Sequence, residues 1–175
     1  GVSAFANWRL TIPTLASEHR VLAPDMAGFG FSDKPGNYGM DGWLDQLDGF
    51  LQAVGLEKVS LVGNSFGGGL AIAFASRWPE RVDKLVLMGS VGISFPITEG
   101  LDAVWGYEAS IQNMRKVLDY FAFDRTLVND ELAELRYRAS IEPGMQEAFS
   151  SMFPAPRQRW VDAMATPEDT IAALP

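Results

Sequence analysis

The chain contains no cysteine. That excludes thiol nucleophiles, thiolate-bound zinc and disulfides. It contains one histidine, His19, too few for a histidine-rich metal site, so no such metal centre is expected. Basic residues are in the minority: 14 Lys and Arg stand against 22 Asp and Glu, a net charge of −8. A field of that sign repels phosphate backbones, so nucleic acid is not an expected partner. No apolar run reaches the roughly 18 residues that span a bilayer, and no membrane partner is expected either. Residue 1 is glycine, with no basic and apolar signal pattern behind it, and the expected compartment is the cytoplasm. What remains is ordinary. Apolar residues make up 47% and charged residues 21% of 175, the usage of a globular domain rather than a disordered chain.

Along the first half, short β-like runs alternate with helical patterns. A helical stretch over residues 8–16 precedes the short apolar run Arg20-Val-Leu-Ala-Pro24, read as a strand. A loop rich in Gly, Pro and Asp follows over residues 25–35. Trp43, Leu44, Leu47, Phe50, Leu51 and Val54 then recur at three- and four-residue steps, which predicts a helix that Gly55 ends. Residues 58–62 read as the next strand, 66–78 as a helix closed by Pro79, and 84–88 as a third strand. Strand–helix–strand order at this spacing implies parallel pairing and an α/β class.

Beyond Gly92 the character changes. Pro96, Gly100 and Gly106 mark a loop, and no convincing strand follows residue 95. Helices are predicted over residues 110–121 and 130–141, the second capped by Asn129 or Asp130 with Glu131 in its first turn. Residues 160–173 read as one or two short helices interrupted at Pro167. A helical insertion after a parallel sheet has the pattern of a lid. The expected divisions are a partial core over 1–94, a lid over 95–157, and a helix returning to the core over 158–175.

The sharpest local signal is Gly63-Asn64-Ser65-Phe66-Gly67, followed by Gly68 and Gly69. It has the G-x-S-x-G form of a nucleophile elbow, with a strand entering and a helix leaving. The turn is strained, so a Cβ two residues away from the serine would strike the neighbouring chain, and it lifts the Ser65 hydroxyl out at the end of the sheet. The N–H of Phe66, at a helix start, can face a developing oxyanion. A phosphate loop would need a lysine before a Ser or Thr, and none is there.

The elbow, the loop Pro24-Asp-Met-Ala-Gly-Phe-Gly-Phe-Ser32 and the junction Pro79-Glu-Arg-Val82 together resemble the α/β-hydrolases. Gly63-Asn-Ser-Phe-Gly-Gly68, Leu87-Met-Gly-Ser90, Phe121-Ala-Phe-Asp124 and Leu132-Ala-Glu-Leu-Arg136 resemble, more narrowly, the hydrolases of meta-ring-fission products. The resemblance covers essentially the whole chain. It implies an α/β-hydrolase fold of mostly parallel sheet with a helical lid, and hydrolysis of a carbon–carbon bond in a vinylogous 1,5-diketone of aromatic catabolism. The implied partner is a small-molecule dienoate, with no cofactor, and the implied assembly a homodimer or larger homo-oligomer. Ser65 is implied as the nucleophile or as the activator of the attacking water, and Phe66 as an oxyanion donor. Asn7, Asn64, Phe121 and Arg136 are implied to line the substrate pocket.

Plainer readings stand beside these. Asn7 fits a helix-start cap as well as a pocket. Asn64 can satisfy the backbone of its own turn, and Phe121 can pack the lid core. Arg136 falls within a stripe formed by Leu132, Leu135 and Ala139, where an arginine needs an anionic partner. A snorkelling side chain or an internal ion pair is the alternative there, and a dienoate carboxylate suits the guanidinium fork. Trp105, Phe153 and Trp160 are expected in ordinary packing.

The acid and base of such a site are not found. His19 lies in a helix-to-strand turn before the nucleophile and is expected at the surface. By analogy with the family, a strand between residues 20–24 and 58–62, the second oxyanion donor, and the catalytic His and Asp all fall outside these residues. The expectation is an internal segment of a longer enzyme that does not fold stably alone. An esterase or lactonase of the same fold, and a non-catalytic receptor built on it, are the other functional readings.

Overall fold

A computed structural model describes residues 3–175. The first half holds α1 (Ala4–Trp8), α2 (Ile12–Leu15), α3 (Met40–Ala53), β1 (Val59–Asn64), α4 (Phe66–Arg77) and β2 (Val82–Met88). The second half is helical: α5 (Glu99–Trp105), α6 (Ile111–Phe121), α7 (Asp130–Ser140), α8 (Met145–Met152), α9 (Gln158–Ala163) and α10 (Glu168–Ala172). These elements form two compact units, one of residues up to Tyr38 with Glu99–Pro154, the other of Gly39–Thr98 with Ala155–Pro175.

In the second of these units, β1 and β2 pair in parallel, with Leu61 opposite Leu85 and Asn64 opposite Met88. A parallel pair cannot be joined by a tight turn, and α4 supplies the crossover. Its residues Leu70, Ala71, Ile72, Phe74 and Ala75 are all buried. On α3 the buried side chains are Trp43, Leu44, Leu47 and Leu51, the expected stripe without Phe50 and Val54 at its centre. Gly55, at φ 71°, ends that helix in a left-handed turn. Arg81 ties the base of β2 to α3 through a part-buried ion pair with Asp48, and its Nε donates to the Glu57 carbonyl at 2.8 Å. Residues 155–175 pack into this unit: the Thr166 N–H donates to the Gly92 carbonyl (2.8 Å) and Ser94 Oγ to Asp162 (2.8 Å).

The other unit is built from α1, α2 and α5–α8. Its interior holds Trp105, Met114, Val117, Ala133, Met145, Met152 and Phe153, with the Trp105 and Phe153 rings stacked 4.6 Å apart. Ser110 and Asn129 cap α6 and α7, accepting from the Asn113 and Leu132 N–H groups. Arg115 and Asp130 form an ion pair between those two helices.

Several elements differ from the sequence reading. Arg20–Pro24 is not a strand: no described strand runs beside it, and a β assignment needs a hydrogen-bonded neighbour. The helix expected over 8–16 is reduced to Ile12–Leu15, after the separate turn of α1. The loop expected around Gly100 contains α5, with that glycine in its first turn and with Glu99 and Asp102 favourably placed there. The eight-residue α8 was not anticipated. Pro167 separates α9 from α10 as its position suggested.

Candidate active site

Ser65 sits between the end of β1 and the start of α4 with φ 54° and ψ −118°. It is the one non-glycine residue with positive φ among those described. Such a conformation costs about 1–3 kcal/mol and persists only where its surroundings enforce it. Here they do. The Ser65 N–H donates to the Met88 carbonyl (2.9 Å), and its own carbonyl accepts from the N–H groups of Gly68 (3.0 Å) and Val91 (3.3 Å). The backbone is thus held on both sides by the exit of β2, while the residue itself is exposed.

Close approach explains two glycines of the elbow and not the third. A Cβ on Gly63 would lie 2.5 Å from both the Gly67 carbonyl oxygen and the Gly68 Cα. On Gly68 it would lie 1.8 Å from Ser90 Oγ and 2.3 Å from Ser90 Cβ. A Cβ on Gly67, the final glycine of the pattern, would meet nothing within 4 Å outside its own helix among the described residues. Phe66 is the first residue of α4, so its N–H belongs to the turn that has no acceptor inside the helix. Its ring packs edge-on against Trp43 at 4.6 Å.

Asn64, Ser65 and Phe66 are therefore brought together on one elbow. Asn64 is exposed at the end of β1, and its carboxamide makes no hydrogen bond among the described residues, so the turn does not use it. Asn7, Phe121 and Arg136 lie in the other unit. Asn7 is exposed inside α1 and is not its cap; Ser3 fills that position, accepting from the Ala6 N–H at 3.1 Å. Phe121, the last residue of α6, is 66% exposed, so it does not pack the core of its unit.

Arg136 is half-buried on α7, but the stripe around it differs from the expected one. Leu135 and Ala139 are exposed and Leu132 is half-buried, while Ala133 and Ser140 are buried and Tyr137 is half-buried. The reason is that Ser140 is satisfied where it is buried. Its Oγ meets the Tyr107 hydroxyl at 2.9 Å and donates to the Tyr137 carbonyl. Arg136 lies within this rotated stripe and has no hydrogen bond or ion pair among the described residues. His19 is exposed in the turn after α2.

The sequence reading gave no role to Asp25. Its carboxylate accepts from the Ala4 N–H (2.5 Å) and the Phe31 N–H (2.9 Å), and its carbonyl from Ser32 Oγ (2.6 Å). It therefore fastens the segment that carries Asn7 to the glycine-rich loop. An acid at the head of such a loop was the available signal. The acids with shifted titration lie at the end of α6 and in the loop that follows it. Tyr120 is raised because its hydroxyl donates to Glu99, and Asp124 is lowered because Thr126 donates to it from side chain and backbone. Among the described residues no group of three metal-ligating side chains converges, and no helix is long and apolar enough to cross a membrane.

A family model described as the alpha/beta hydrolase fold matches residues 1–172. The chain belongs to that family. Within it, the chain is 64% identical to a 2-hydroxymuconate semialdehyde hydrolase of Pseudomonas sp. strain CF600, across all of this chain and 62% of that protein. It is 63% identical to a 2-hydroxy-6-oxo-2,4-heptadienoate hydrolase of Pseudomonas putida strain F1, across 98% of this chain and 63% of the other. A crystal structure of a serine-to-alanine mutant of the meta-cleavage product hydrolase from Pseudomonas fluorescens IP01, with acetates bound, superposes with a TM-score of 0.96 at 62% identity. That match covers 99% of this chain and 64% of the hydrolase. The chain thus spans somewhat less than two thirds of the length of these α/β-hydrolases.

Proposed function

We propose that the protein is a serine-dependent hydrolase that cleaves the carbon–carbon bond of a meta-ring-fission product such as 2-hydroxymuconic semialdehyde. The observation that carries the proposal is Ser65: exposed, held at φ 54° on a strand-to-helix elbow, in a chain 64% identical to a hydrolase of that substrate's name. The dienol first becomes a ketone. Ser65, as nucleophile or through a water it activates, then adds to the carbonyl carbon. The bond to the neighbouring carbon breaks, that carbon takes a proton, and the carbonyl fragment leaves as a carboxylic acid after addition of water. Phe66 N–H steadies the oxyanion from the start of α4.

The half-buried Arg136, with no partner of its own among the described residues, is the proposed seat for the substrate carboxylate. A local cation is needed because a net charge of −8 repels the anion at longer range. Asn7, Asn64 and Phe121 are proposed as substrate-binding residues, and residues 95–157 as a lid, on the family likeness. His19 is given no part, and the base and its orienting acid are sought outside residues 1–175. A cytoplasmic location and a homodimeric or larger assembly belong to the same proposal, on the family likeness alone.

The test uses the polypeptide of the whole reading frame and follows the loss of yellow dienolate absorbance. Ser65→Ala should lower kcat about a thousandfold or more, and an unchanged rate refutes the assignment. Arg136→Ala should cost about 10- to 100-fold in kcat/KM; intact constants would make that arginine structural. Turnover of esters without turnover of dienoates would move the protein to the esterases and lactonases.

A further inference from the structure

We propose that Ser90, outside the serine elbow itself, is the positioning residue that sets where Ser65 Oγ stands. The proposal rests on Ser65 being the nucleophile. Three observations converge on the short segment leaving β2. First, Ser65 is bonded through its N–H to Met88 and through its carbonyl to Val91, the two residues that bracket Gly89 and Ser90. Second, the Ser90 side chain occupies the space over Gly68: a Cβ there would fall 1.8 Å from Ser90 Oγ, 2.3 Å from its Cβ and 3.2 Å from its Cα. Third, Ser90 Oγ points back to the Gly63 carbonyl at 3.5 Å, a long hydrogen bond to the other flank of the elbow.

Gly63 and Gly68 are themselves in mutual backbone contact, since a Cβ on the first would meet the Cα and N of the second. Ser90 thus forms the floor beneath a three-layer stack of strand end, helix start and β2 exit. Its small side chain fixes the separation between α4 and the β2 exit, and that separation fixes the φ and ψ of Ser65. A larger residue would lift the helix start. A missing side chain would let it sink. Either motion displaces Oγ, and a misplacement of about 1 Å costs on the order of a hundredfold in rate. Ser90 touches no reacting atom in this scheme and acts only through the elbow.

The experiment uses the polypeptide of the whole reading frame and a serine-directed fluorophosphonate. Ser65 Oγ displaces fluoride from phosphorus, so that a P–O bond forms, the P–F bond breaks and the hydroxyl proton leaves with the fluoride. The labelling rate then reports Oγ placement without a dienoate substrate. Ser90→Gly should slow labelling about tenfold while the unfolding transition is retained, and Ser90→Ala, which keeps the Cβ spacer, should slow it less than about threefold. Gly68→Ala should slow it about a hundredfold, and adding Ser90→Gly to Gly68→Ala should restore at least tenfold of that loss, because the clashing side chain is gone. If Gly68→Ala does not fold, folding of the double variant is itself the rescue, and its failure to fold overturns the proposal. Losses that simply multiply in the double variant, or a Ser90→Gly protein labelled at the full rate on Ser65, overturn the positioning role alone. Absence of labelling in the unmodified protein, or labelling that survives Ser65→Ala, overturns the nucleophile assignment and the role of Ser90 with it.

Discussion

Gly63 and Gly67 carry equal weight in a G-x-S-x-G pattern, yet their surroundings differ. Any side chain at Gly63 meets backbone of Gly67 and Gly68 within 2.7 Å, and backbone at a helix start cannot step aside. Gly67 faces open space among the described residues. Gly63→Ala should therefore destabilise the protein by about 2–3 kcal/mol, as overpacking does. Gly67→Ala should shift stability by less than about 1 kcal/mol, since alanine is the better helix former. Urea unfolding of the two variants, made in the polypeptide of the whole reading frame, checks this. Equal losses at both positions would mean that chain outside residues 3–175 closes over Gly67. The serine itself was legible in the sequence, because a strand, a strained turn and a helix start leave a pattern in small residues. The hydrogen bonds that hold it were not. They run to backbone groups of Met88 and Val91, some twenty-five residues further on, and backbone partners leave no residue-type signature.

Helices were legible where their ends carried chemistry. Asn129 caps α7 by accepting from the Leu132 N–H at 2.8 Å, and Asn129→Ala should cost about 1 kcal/mol. Asn129→Asp should cost less, because it keeps the acceptor. Thermal unfolding of the two variants, made in the polypeptide of the whole reading frame, measures the difference, and equal losses would show that the cap bond contributes nothing. The face of α7 was harder to read than its start. Ranking by hydrophobicity puts Leu132, Leu135 and Ala139 inside, whereas the packed face runs through Ala133, Tyr137 and Ser140. Small residues allow close approach, and a buried hydroxyl stays inside when another hydroxyl meets it, as Tyr107 meets Ser140. The helix α5 was hidden for a related reason. Glycine is a weak signal for a break when it falls in a first turn, and Gly100 packs there against the Tyr120 ring at a spacing of 3.2 Å for an added Cβ.

At the scale of the molecule, the parallel sheet poses a problem of cover. Parallel sheets occur with both faces buried, because each strand pair needs a crossover helix on a face and apolar strands need shielding. Among the described residues the sheet has two strands, and Val62, Val86, Leu87 and Met88 are 43–49% exposed. Neither outer edge is paired among the described residues, and an open, apolar edge is a site for aggregation. The apolar run Arg20–Pro24 has the composition of a strand, but no strand among the described residues lies beside it. The α/β class could be read from the alternation of elements, but strand pairing could not, because a strand is defined by its neighbour. A two-stranded parallel pair is marginal without further strands or cover on both faces. Residues 1–175 expressed alone should therefore show no cooperative heat absorption in calorimetry. They should also bind a hydrophobic dye, as loosely packed chains do. The polypeptide of the whole reading frame should melt in a single sharp transition. A cooperative transition for the 175-residue chain would show instead that α3, α4 and the terminal helices shield the strand pair well enough, and that the exposed valines, leucine and methionine cost the isolated chain little.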